Sequence, residues 1–277
     1  MPTTPSRDQR PPSRLSALDV DAMLDDATRK QAFVTPMFDV IAPRYDRFTR
    51  WFSFGMDAGW KREGLDALAQ WHARGTRAGD VTVLDVASGT GDLAFAAASR
   101  WPAAQVVSTD AALAMTRRAQ ARARSATDSR VVCATADLMT LPLATDSVSL
   151  VTAGYALRNV PDVRVAVREI ARVLQPGGLL LTLDFYRPES TWWRVLFLGY
   201  LRTAGDAVGW LWHRDPVVYG YIARSIARFL SWQAFSALLE AEGFIVRDVR
   251  RHLGGGIARH VAERVDRRVS APRVSGD

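Results

Sequence analysis

From Val81 to Phe185 the chain alternates short β-branched runs with segments of helical periodicity, and that alternation leaves few folds open. "VTVLDV" precedes "LAFAAASRW" and "AQVVSTD" precedes "AALAMTRRAQARA". "RVVCATA" leads through a loop to "SVSLVTA", and "VRVAVREIARVL" precedes "GLLLTLDF". Strands joined by helices of this length cross over right-handedly and pair in parallel. A helical insertion over residues 191–228 follows, then a helix, "WQAFSALLEAEG". Two last runs, "FIVRDVRRH" and "GGIARHVAER", are separated by a few residues that include glycines 254–256, which suits an antiparallel hairpin. The expected fold is α/β and Rossmann-like, with three layers and a seven-stranded, mostly parallel sheet whose last strand is antiparallel.

One domain over residues 21–263 accounts for this pattern, and 48% hydrophobic residues in a 277-residue chain suffice for a real core. Residues 21–72 read as a helical cap, broken by Pro36 and Pro43, that covers the mouth of the sheet or simply packs on it. Residues 1–20 read as a disordered arm and 264–277 as a frayed polar tail. The amino terminus lacks the apolar stretch of a signal sequence. Cys133 is the only cysteine, so no internal disulfide forms and a cytoplasmic setting is favoured.

Net charge is +7, carried almost wholly by arginine, since Lys30 and Lys61 are the only lysines. The arginines are scattered and no zinc-finger, helix-turn-helix or RNA-binding signature is present, which argues against nucleic acid. "TWWRVLFLGYLRTAGDAVGWLWHRDP" is the longest apolar candidate, but Arg194, Arg202 and Asp206 interrupt it and exclude a membrane span. The four histidines have no metal-ligand spacing, so no metal is expected.

"VLDVASGTGDLA" sets Gly89, Thr90 and Gly91 between the first strand and its helix, where glycine admits a ligand close to backbone and a helix start offers free N–H groups. Gly89-x-Gly91-x-x-Ala94 also fits a loose dinucleotide fingerprint. Asp110, followed by Ala111, ends the second strand and suits a ribose diol in either cofactor. Three further features favour S-adenosylmethionine. Asp85 ends strand one, where a carboxylate can hold a cationic amino end directly or through water. Asp137 follows strand three and can accept from an adenine amino group, with Leu138 against the ring. "VLQPGGLLLTL" is the lead into strand five usual in class I methyltransferases, whose sheet also has seven strands with the last reversed.

Beyond these local features, "MFDVIAPRYDRFTRWFSFGMDAGWKR", "GYALRNVPD", "REIARVLQPGG", "YGYIARSIARFL" and "GGIARH" occur in an order that resembles the ubiquinone/menaquinone biosynthesis C-methyltransferases (UbiE/MenG). The resemblance spans residues 33–263. It implies methyl transfer to a ring carbon of a demethylmenaquinol or a ubiquinol precursor. The chain departs from the usual pattern at Thr49 (commonly Asn), at Val148-Ser149 (commonly Phe-Asp), at Tyr155 (commonly Phe) and at Leu230 (often Pro). Thr49 and Tyr155 therefore bear on the substrate pocket.

Ring methylation needs a group that stabilises a phenolate and a base that takes its proton. The resemblance gives the first role to Arg158, at the carboxyl edge of the sheet, and places Tyr45 and Asp46 near the cofactor, with Asp46 orienting Tyr45 or acting as base. Asn159 holds the loop or borders the substrate, and Tyr219 and Tyr221 line the channel or the core. The Trp-rich insertion serves as a lid, a surface resting on the cytoplasmic face of a membrane, or core filling. Partners implied are a reduced prenylated quinone, a membrane surface in peripheral contact, and a homodimer or quinone-synthesis complex. Two alternatives stay open: a methyltransferase for another small molecule or lipid, and a protein that binds S-adenosylmethionine without turnover to assemble such a complex.

Overall fold

The computed structural model describes residues 27–44, 49, 53, 55–75, 81–126, 130–213 and 217–265, except for the side chains of 27, 28, 44, 204–213 and 217–220. The arm 1–20, the tail beyond 265, and Tyr45 and Asp46 lie outside the described residues, as does the side chain of Tyr219. Seven strands form one sheet in the order β3-β2-β1-β4-β5-β7-β6. They are β1 (Thr82–Val86), β2 (Gln105–Asp110), β3 (Val131–Thr135), β4 (Val148–Gly154), β5 (Leu174–Phe185), β6 (Phe244–His252) and β7 (Ile257–Arg264). Only β7 is reversed, antiparallel to both β5 and β6. The expected sheet and hairpin are both present.

The helices are α1 (Ala27–Ile41), α2 (Asp57–Arg74), α3 (Asp92–Arg100), α4 (Leu113–Ala126), α5 (Val163–Val173), α6 (Thr191–His213), α7 (Val217–Arg228) and α8 (Trp232–Ala241). Alternation along β1 explains the layers. Val83 joins Leu65 and Leu68 of α2 and Ala94 and Ala97 of α3 on one face, whereas Leu84 and Val86 join Ala166, Val167 and Ile170 of α5 and Phe235 and Leu239 of α8 on the other. The stripe of α5 starts cleanly because the Asp162 carboxylate accepts from the backbone N–H groups of Arg164 and Val165. Such a cap contributes about 1 kcal/mol.

Local detail departs from the sequence reading at three places. Pro36 sits inside α1 without ending it. Among the described residues of 21–72, most of α2 packs in the sandwich, whereas α1 stands over the strand ends. Strand β5 starts at Leu174 rather than Gly178, because the chain pairs with Val148 before a register shift. A Cβ on Gly178 would meet the carbonyl of Ser149 at 2.9 Å, so the crossing at this bulge requires glycine. Cys133 lies half-buried on edge strand β3.

Strand order reverses between β1 and β4. Loops leaving these two strands diverge, and the crevice between them is where an open α/β sheet receives its ligand.

Candidate active site

Two cavities meet at that crevice. The smaller is lined by Gly89, Asp110, Ala111, Asp137 and Leu138 from the loops after β1, β2 and β3, by Tyr155 and Asn159 after β4, and by Gln31 and Phe38 of α1. Five of the residues singled out for cofactor binding thus converge here. Asp85, Thr90 and Gly91 do not line it. The Asp85 carboxylate accepts from Thr152 Oγ1 at 2.6 Å, its register partner on β4, and from the Ala94 N–H at 3.0 Å. Burial pushes its pKa up to about 7 despite these donors. Asp85 therefore ties β1, β4 and the start of α3 together under the glycine loop. Gly91, at φ +87°, is the residue before α3, and the left-handed turn it makes favours glycine.

Asp110 is anchored on both oxygens: Oδ2 accepts from Gly89 N–H and Oδ1 from Ala112 N–H, each at 2.8 Å. Burial raises its pKa, and Asp39 of α1 adds to the effect. Asp137 Oδ1 accepts from the Met139 N–H at 2.9 Å, while Gln31 Nε2 donates to Oδ2 at 2.6 Å. An amide nitrogen thus occupies one oxygen of the carboxylate that the sequence reading offered to an adenine amino group. With Gln31 and Phe38 as part of its wall, the cavity encloses only about 90 Å³, below the ~300 Å³ usual for a nucleoside-sized ligand.

The larger cavity, about 430 Å³, is almost wholly apolar. Met37 and Phe38 of α1, Trp60 of α2, Phe185 at the end of β5, Phe197 of α6 and Ile257 of β7 supply its walls, with Thr49, Tyr155 and Tyr221. Among the described residues lining it, Arg158 is the one charged group. Tyr155 and Phe38 border both cavities, so the wall between them is one side chain thick.

Arg158 is 6% exposed and held on several sides. Its Nη1 donates to Ser225 Oγ of α7 at 2.9 Å and to Asn159 Oδ1 at 3.1 Å. Its Nε lies 3.5 Å from Asp184 Oδ1, and its own backbone N–H donates to Asp184 Oδ2 at 3.2 Å. Asn159 Oδ1 also accepts from the Tyr221 hydroxyl at 3.0 Å, and its Nδ2 donates to the Tyr155 carbonyl at 2.9 Å. Burial pushes the Tyr221 hydroxyl up to about 12, which keeps it a donor. Asn159 therefore orients Arg158 and the loop, and faces the smaller cavity rather than the larger. Tyr155 takes φ +56°, an unusual conformation for an aromatic residue, in the turn that lays its ring beside Phe185.

Lys30 of α1 donates to the Arg158 carbonyl at 3.0 Å, and burial with the nearby Arg158 charge lowers its pKa to about 8. Lys30, Gln31, Asp184 and Ser225 escaped the sequence reading. Asp184 carried a visible signal, a carboxylate near the end of the mostly apolar run "GLLLTLDF", the same signal that marked Asp85. The others sit on amphipathic helices, where a polar residue looks like solvent-facing surface. Among the described residues, no cluster of His, Cys, Asp or Glu is placed to hold a metal.

A doubly wound sheet with a reversed seventh strand, a glycine loop at the switch point and a carboxylate at the end of β2 form the architecture of the class I S-adenosylmethionine-dependent methyltransferases. A SAM dependent methyltransferase from Aquifex aeolicus has this fold, with a TM-score of 0.51, 17% identity, and 73% of this chain and 89% of that one covered. More particularly, the chain belongs to the ubiE/COQ5 methyltransferase family, whose model matches residues 25–264. It is 37% identical over 223 residues to the Ubiquinone/menaquinone biosynthesis C-methyltransferase UbiE of Syntrophotalea carbinolica, covering 80% of this chain and 90% of that protein. It is 36% identical over 215 residues to the Demethylmenaquinone methyltransferase of Thermus thermophilus, covering 76% and 92%.

Proposed function

We propose that the larger cavity takes the ring of a reduced demethylated quinone and that Arg158 stabilises its phenolate during C-methylation. The observation that carries this is the single guanidinium facing an apolar cavity one side chain away from the cofactor cavity. Bound S-adenosylmethionine supplies the activated methyl group. Asp110 would hold its ribose, Asp137 its adenine amino group and Leu138 the ring face, while Asp85, Thr90 and Gly91 shape the loop beneath. Gln31 must release Asp137 and α1 must lift for the cofactor to enter.

In the larger cavity the apolar wall excludes water and strengthens the attraction between Arg158 and a developing oxyanion. Asp184, Ser225 and Asn159 fix the guanidinium beforehand, so little reorganisation accompanies charge formation. With the cofactor held by Asp110 and Asp137, the phenolate's ortho carbon would take the methyl group in line as the sulfonium S–CH3 bond breaks and S-adenosylhomocysteine leaves. That carbon then loses its proton, and the ring is aromatic again. By the family resemblance Asp46 would take the hydroxyl proton or orient Tyr45, and Thr49, which lines the larger cavity, would border the ring. Thr49 and Tyr155 depart from the common family pattern, so ring identity is where this chain can differ from its relatives. The prenyl tail of such an acceptor resides in a bilayer, which implies peripheral contact with the cytoplasmic face of a membrane. A homodimer and a quinone-synthesis complex are both compatible with this chemistry.

The test is methyl transfer from labelled S-adenosylmethionine to chemically reduced demethylmenaquinol and, separately, to a demethylated ubiquinol precursor. Label in one of them is the expected result. Label in neither, with cofactor binding intact, favours another acceptor or the assembly role.

A further inference from the structure

We propose that the outer face of α6 around Trp192 and Val195 docks on an anionic phospholipid bilayer and sets the mouth of the larger cavity against the membrane. This rests on the quinol reading of that cavity. Over residues 191–203, helix α6 is apolar on two sides. Phe197 and Leu201 pack inward on Ala223 and Ile226 of α7. On another side Trp192, Val195, Leu196 and Tyr200, at helical spacings of three, four and eight, stand 68%, 67%, 56% and 41% exposed. A helix with one buried face ordinarily turns polar residues outward, and a contiguous exposed apolar surface marks an interaction site.

Continuity identifies the occupant. Leu196 and Tyr200 are exposed and also line the cavity, and so are Met56 before α2 and Leu253 between β6 and β7. Side chains from three separate parts of the chain thus form one apolar surface that runs from the outside into the cavity. A protein partner seated there would close the mouth, whereas lipid would leave a greasy ligand an unbroken path. Trp192 and Tyr200 are the residue types that favour the headgroup boundary, and exposed Arg202 with a net charge of +7 suits anionic lipid. No helix among the described residues is long and apolar enough to cross a membrane. A cavity of about 430 Å³ is ring-sized, and a long tail would remain in the bilayer.

The experiment uses the full chain and vesicles of phosphatidylcholine with a minority of phosphatidylglycerol. Flotation of wild type is compared with Trp192→Glu/Val195→Glu, two positions outside the cavity lining. The expected result is at least a tenfold loss of vesicle partitioning, as fits membrane binding that scales with buried apolar area. Turnover of a tail-less demethylated naphthoquinol in solution should stay unchanged, and turnover of the prenylated quinol in vesicles should fall. Trp192→Ser/Val195→Ser adds no charge and should lose partitioning to a lesser extent at an unchanged melting temperature, which separates lost contact from misfolding. Flotation equal to wild type in both variants overturns the proposal. So does a wild-type dimer that the variants split, in sedimentation, without a change in flotation, because the face then belongs to a second copy. If wild type methylates no quinol yet the variants lose vesicle binding, the docking surface stands and the quinol reading falls.

Discussion

The two cavities are built on opposite principles. In the cavity proposed for the cofactor, short loops at the ends of three neighbouring strands bring Gly89, Asp110 and Asp137 together, and backbone N–H groups fix both carboxylates. In the cavity proposed for the acceptor, side chains from α1, α2, α6, α7 and β7 enclose an apolar space whose one charged group is a guanidinium with its supports. The first is a backbone site that needs little more than the right residue at each strand end. The second depends on long-range packing, so it can change its ligand without changing the fold.

The sharpest way to separate them is Arg158→Ala. Turnover should fall about 100-fold, the effect expected for a lost oxyanion donor, while cofactor affinity measured by calorimetry moves less than about threefold. An equal loss of both would dissolve the distinction between the cavities. Because Asp184 would be left buried and unpaired, Arg158→Ala/Asp184→Asn is the control for stability. Arg158→Lys should rescue only part of the rate, since an ammonium lacks the planar fork that reaches Ser225 and Asp184 together.

Asp110→Ala probes the other side. It removes a carboxylate that shapes the glycine loop and is proposed to hold the ribose diol, so the cofactor KM should rise about 10–100-fold. The acceptor KM should change little; a comparable rise there would mean that the two sites are not independently built.

Asp85 offers a test that needs no substrate. Its folded pKa of about 7 lies above the ordinary carboxylate value of 3.8, so the folded protein binds the extra proton between those limits. The contribution of Asp85 to stability is therefore full below about pH 4 and is lost as pH rises through about 7, by a few kcal/mol at most. Asp85→Asn, compared with wild type by chemical denaturation across that window, should show the shallower decline. Asp110 and Asp184 titrate upward too, and both remain in the variant. Parallel curves would place the ionisation elsewhere.

The smallest effect is expected at Gln31. Its amide occupies an oxygen of Asp137, so Gln31→Ala should tighten cofactor binding by about two- to fivefold, one hydrogen bond's net contribution. Weaker binding would make Gln31 a support of the site rather than a competitor for it.

The sequence by itself determined the strand–helix alternation, the reversed last strand, and the strand-end residues Asp85, Asp110, Asp137 and Arg158. These follow from local rules: side-chain alternation along a strand, the backbone freedom of glycine, and the cost of a charge at the end of an apolar run. Only the tertiary structure decided which of those groups line a cavity. Asp85 turned inward to Thr152, Asn159 became a brace for Arg158, and Lys30, Gln31 and Ser225 arrived on helices distant in sequence. The physical reason is that local hydrogen bonding has a short, fixed period that sequence spacing can display, whereas the apolar cavity exists only where several helices pack against one sheet edge, and packing has no spacing to read.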